Sequence, residues 1–130
     1  MLRTTGLIAL LTITAACLPN AQLSQDGIHG AYVVNGVDPL GVEYTGRLNI
    51  SRGAAANDVI MEWIVTGAVI RGEGTVGDGI IAVAWQTLSN PRRAARGTAA
   101  YEILDDGRLL GTLWVDGLNQ AGTETVFPDP

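Results

Sequence analysis

Glu43-Tyr44-Thr45-Gly46-Arg47-Leu48-Asn49-Ile50-Ser51 alternates strictly along the chain. Tyr44, Gly46, Leu48 and Ile50 fall on one side of a period-two pattern, and Glu43, Thr45, Arg47, Asn49 and Ser51 on the other. Side chains of a β-strand point alternately to its two faces, so this stretch predicts a strand with one face in a core and one in water.

The same pattern recurs outward in both directions. Upstream lies the run 30–34, followed by Asp38-Pro39-Leu40-Gly41, whose proline and glycine suit a β-turn. Downstream, Val59, Met61, Trp63 and Val65 share one face, with Glu62 opposite and placed to pair with Arg71 on the next strand. Ala68, Ile70, Gly72, Gly74 and Val76 share the next face. Gly77-Asp78-Gly79 and Asp105-Asp106-Gly107 predict hairpin turns, because these residues tolerate positive φ. Runs over 80–85, 96–104, 109–115 and 120–127 complete the set, and 86–96 reads as the longest loop.

Eight short strands, hairpin-length links and no helical period predict an all-β antiparallel meander. Its two edges are removed most simply by closure, pairing the first strand with the eighth in a small barrel; a β-sandwich is the alternative. Glycines at 46, 72, 74 and 111 on inward positions suit a strongly coiled wall. Gly46 in particular is expected where the wall bends or another group comes close.

The N-terminus reads differently. Met1-Leu2-Arg3, an apolar run from Gly6 to Ala16 and the small pair Ala15-Ala16 have the form of a signal peptide over 1–16. That run is shorter than the roughly 20 apolar residues a spanning helix needs. Thr14-Ala15-Ala16-Cys17 resembles a bacterial lipobox, with Cys17, the one cysteine, as the lipidated residue. The resemblance implies a membrane anchor at the outer membrane or in the periplasm. The alternative is an ordinary cleaved signal and a soluble secreted protein. Residues 17–28 then form a lipidated cysteine and flexible tether, and 29–127 the barrel domain.

Charge and composition exclude several chemistries. The net charge is −5, and all eight basic residues are arginine. That balance argues against nucleic-acid binding. One histidine and one cysteine leave no zinc set and no nucleophilic triad, so neither metal nor cofactor is expected and no catalytic residue is assigned.

Three groups remain as candidate sites. Tyr32, Tyr44, Trp63, Trp85 and Tyr101 point inward and either fill the core or line a ligand pocket. Trp114 lies on the opposite face of its strand and is either an interaction surface or a ring packed under a loop. Arg92, Arg93 and Arg96 form the one basic cluster, either for an anionic partner or as a solvated loop.

The order of G-x-Y-x-V (30–34), D-P-x-G (38–41), Y-x-G-x-L-x-I (44–50), W-x-V (63–65), D-G-x-L-x-G (106–111) and G-T-E-T (122–125) resembles a family of small exported proteobacterial proteins often labelled fibronectin-binding. That resemblance implies adhesion to a matrix component. More distantly the chain is similar to the avidin and lipocalin (calycin) barrels, which also open on a G-x-aromatic element. Tyr32 stands where those barrels carry tryptophan, so this likeness implies architecture and not biotin binding. The expected function is a non-enzymatic, envelope-anchored binding or interaction module. A carrier barrel for a small apolar ligand is the second reading, and a structural envelope or assembly-factor role the third.

Overall fold

The structure, a computed structural model, describes residues 27–89 and 94–130. Eight strands follow one another: β1 (Gly30–Val37), β2 (Glu43–Arg52), β3 (Asp58–Val65), β4 (Ala68–Gly77), β5 (Ile80–Ser89), β6 (Arg96–Ile103), β7 (Leu109–Val115) and β8 (Gly122–Pro128). Each pairs antiparallel with the next, and β1 pairs with β8 to close a barrel. The expected all-β meander and its closure are both present.

The alternation that defines β2 sets the register of the wall. Leu48 faces Trp63 and Ile50 faces Met61 across the β2–β3 ladder, so the inward positions of both strands fall together. Val34, Leu48, Ile50, Met61, Ile81, Tyr101, Leu109 and Val126 are buried in the interior. Gly46 has Val65 and the carbonyl of Ile64 against its Cα, leaving no room for a Cβ. The turns follow their composition. Asp78 and Gly79 take φ of 52° and 76°, a two-residue hairpin whose twist matches the flanking strands. Asp38 Oδ1 accepts hydrogen bonds from the backbone N–H of Leu40 and of Val42 at 2.8 and 2.9 Å, which folds the β1–β2 link. On the outside, Arg71 donates to Glu62 at 3.1 Å, as the strand pairing predicts.

Several boundaries shift: β1 runs on to Val37, past the expected end at residue 34, and β8 begins at Gly122 rather than at residue 120. β5 extends to Ser89, past the expected end at residue 85, because its outer residues keep pairing with β4 through a bulge at Val69/Ile70. The 86–96 loop is correspondingly shorter. Ile28, at the end of the expected tether, is only 3% exposed, and its carbonyl accepts the Tyr32 hydroxyl proton. β8 runs to Pro128, and Asp129 follows it by donating its N–H to the Ala31 carbonyl at 2.9 Å. Ile28 thereby caps the core and closes one end of the barrel, while Asp129 extends the β1–β8 ladder there. Cys17, Arg92 and Arg93 lie outside the described residues.

Candidate functional site

In an even-numbered meander, the β1–β2, β3–β4, β5–β6 and β7–β8 links all lie at the end away from the chain termini. At that end the interior is not filled. A cavity of about 260 Å³ is lined by Tyr44, Trp63, Val65, Ile70, Trp85 and Leu113 from five strands, with Asp38, Glu43 and Thr66 among the residues at its mouth.

Local sequence places each of these side chains. Tyr44 is inward on β2, and its ring lies against the bare Cα of Gly36 on β1, where any Cβ would overlap it. Trp63 is inward on β3 above Met61. Trp85 is inward on β5 and donates its indole N–H to the Thr98 carbonyl at 3.1 Å. Gly111 on β7 seats the Tyr101 ring in the same way that Gly36 seats Tyr44.

The interior carries one charged residue among those described, Glu124 on β8, at 4% exposure. Gly122, Glu124 and Val126 are the buried positions of that strand, so the carboxylate follows the inward period rather than escaping it. Tyr44 donates its hydroxyl to Oε2 at 2.7 Å. Tyr101 donates its hydroxyl to Oε1 at 2.9 Å, and Trp63 its indole N–H to the same oxygen at 3.3 Å. The Trp63 and Tyr101 rings stack at 6.5 Å between centroids. Three strands, β2, β3 and β6, thus converge on a carboxylate carried by β8, and Glu124 lines the cavity.

The electrostatics follow from burial. Loss of water pushes the Glu124 carboxyl above its ordinary pKa, and its three hydrogen bonds pull it partly back. Tyr44 and Tyr101 are pushed well above the usual phenol range, first by burial and then by the Glu124 charge and hydrogen bond. Both phenols therefore stay protonated and remain donors.

The five inward aromatics have three different roles. Tyr44, Trp63 and Trp85 line the cavity. Tyr101 does not: it is fully buried, supporting Glu124 from below. Tyr32 does not either, because it lies early on β1, toward the closed end, bonded to Ile28. The interior is therefore partly packed and partly open. Trp114 is 45% exposed on the outer face of β7, opposite Thr98, so it is not packed under a loop. Arg96 begins β6 and is bridged to Asp116 at 3.3 Å, which ties it to the wall.

Glu124 is the residue that sequence reasoning passed over. Its signal was the period-two spacing Gly122, Glu124, Val126 within the G-T-E-T segment.

Fold and site together define a closed eight-stranded up-and-down barrel with an aromatic cavity at one end and a buried carboxylate in its wall. Compared with protein-family models, curated proteins and solved structures, the chain has no match.

Proposed function

We propose that the protein is a non-enzymatic barrel that binds a small, largely apolar molecule in this cavity. The carrying observation is the cavity itself: about 260 Å³ of space, walled by Tyr44, Trp63, Trp85 and aliphatic side chains, beside one oriented polar group. Ligand sites combine these features, an apolar concavity with few polar groups that fix orientation. A core serving stability alone is filled, because each void forfeits packing contacts. Exposed apolar side chains at the same end, Leu40 and Val42 among them, suit the entry of an apolar guest.

The test is titration calorimetry with short phenylalkyl compounds. Saturable one-to-one binding, abolished by Leu113→Trp in a protein that still melts cooperatively, supports the reading. No saturable binding, or binding that Leu113→Trp leaves unchanged, overturns it.

We further propose export and anchoring through Cys17, on the lipobox-like segment. Cys17→Ser is expected to abolish acyl labelling and membrane retention. Unchanged retention rules out the anchor.

A further inference from the structure

The side-chain donors of the cavity wall are already used. Among its described residues, the side chains with N–H or O–H groups are Tyr44, Trp63, Thr66 and Trp85. Tyr44 and Trp63 donate to Glu124. Trp85 donates to the Thr98 carbonyl, and Thr66 to the Thr45 carbonyl at 3.3 Å. Each indole has a single N–H and each hydroxyl a single proton, so none is left over for a guest. The wall's remaining side-chain capacity is for accepting: the phenolic oxygen of Tyr44 and the carboxyl groups of Glu124, Asp38 and Glu43.

Glu124 is the decisive group. A carboxylate has about four lone-pair positions. Oε1 takes two donors and Oε2 takes one, which leaves a position on Oε2. All three donors are neutral, so when the carboxyl ionises its charge is solvated by dipoles alone and no cation of the wall balances it. Burying an unbalanced charge is unfavourable, and a cation brought against it is strongly attracted where water is excluded. The rings of Tyr44, Trp63 and Trp85 line the same space, and aromatic rings attract cations through their electron-rich faces.

We propose that the ligand is a small aryl or alkyl amine, its protonated nitrogen donating to Glu124 and its apolar body filling the aromatic end of the cavity. This rests on the ligand-binding reading above and narrows it to one chemical class. An ammonium group supplies both things the wall's side chains lack, a free donor and a positive charge. A carboxylate guest would meet acceptors and a like charge.

The test compares three probes that share a phenylethyl body by calorimetry: phenethylamine, propylbenzene and 3-phenylpropanoate. The amine is expected to bind about tenfold or more tightly than the hydrocarbon, and the carboxylate weakest of all. Glu124→Gln should cost the amine about tenfold and leave propylbenzene unchanged. Should Glu124→Gln not fold, the ranking on the unaltered protein decides. Propylbenzene binding as tightly as the amine overturns the cationic ligand while the cavity reading stands, and so does a carboxylate that binds tightest. Equal losses for both probes in Glu124→Gln also overturn it, since the carboxylate would then only support the wall. Binding by none of the three overturns the ligand-binding reading itself.

Discussion

The Tyr101 hydroxyl and Oε1 of Glu124 meet at 2.9 Å across the barrel interior, joining β6 to β8 past the intervening β7. Tyr44 reaches the same carboxylate from β2. The Glu124 cluster therefore holds the barrel's cross-section at the level where packing gives way to cavity, and its ionisation has measurable consequences.

The contribution of Glu124 to stability should fall as pH rises from acid toward neutrality. The folded Glu124 carboxyl has a raised pKa, while the unfolded one ionises near its ordinary value of about 4.3. Above that pH the unfolded chain holds fewer protons than the folded one, so stability declines until the folded carboxyl also ionises and then levels off. The whole decline amounts to about 1.4 kcal/mol per unit of pKa difference. Glu124→Gln removes it, since the groups that face Glu124, namely Tyr44, Trp63 and Tyr101, are neutral throughout this range. Urea midpoints of the two proteins, measured against pH, should diverge in that direction. A constant difference would contradict the cluster's electrostatics.

The chain's three tyrosines should be silent at the pH where a free phenol ionises, about 10. Tyr32 is raised by burial, and Tyr44 and Tyr101 by burial and by Glu124. Stability from these raised groups is present below the ordinary phenol value and lost as pH climbs beyond it. In an alkaline absorbance titration, phenolate should appear only together with unfolding, while urea-unfolded chain titrates near 10. A reversible phenolate step near 10 in the folded barrel would count against this packing.

Two glycines should prove to be ring seats. A Cβ at Gly36 overlaps Tyr44, and one at Gly111 overlaps Tyr101, so either ring must tilt off Glu124. Gly36→Ala and Gly111→Ala are each expected to destabilise by about 1–3 kcal/mol. In a Tyr44→Ala background the Gly36→Ala loss should shrink, because the clashing ring is gone; a strictly additive double-mutant cycle would show that the glycine acts otherwise.

Trp114 and Trp63 should behave oppositely. Trp114 is half-exposed on the outer wall, and Trp114→Thr should change stability by no more than about 0.5 kcal/mol. Trp63 is buried, bonded to Glu124 and stacked on Tyr101, and Trp63→Ala should cost about 3–5 kcal/mol. Denaturant melts of both variants check this. A large loss from Trp114→Thr would mean that it packs on something the isolated barrel does not present.

Much of the wall is legible in the sequence, because a period of two leaves a direct trace. The alternation over 43–51 fixes β2, and repeating it gives eight strands and hence closure. The Glu62–Arg71 pair and the crowding at Gly46 follow from the same register. The site is less legible, for two physical reasons. Glu124 sits at an inward position, but a charged residue reads as solvent-facing until its partners are known, and Tyr44 and Tyr101 lie 80 and 23 residues away. Cavity or filled core is a question of summed side-chain volume at one level of the barrel, which no single residue records. Tyr32 illustrates a signal that was present: lying early on β1, it belongs by strand parity to the closed end, away from Tyr44 at the start of β2.

The ligand-binding account is tested most directly by the indole N–H resonances of the chain's three tryptophans during a phenethylamine titration. Trp63 and Trp85 line the cavity, whereas Trp114 is on the outer wall. The Trp63 and Trp85 signals should shift together and saturate, and the Trp114 signal should stay in place. A titration in which only Trp114 moves, or none of the three does, would contradict binding inside the barrel.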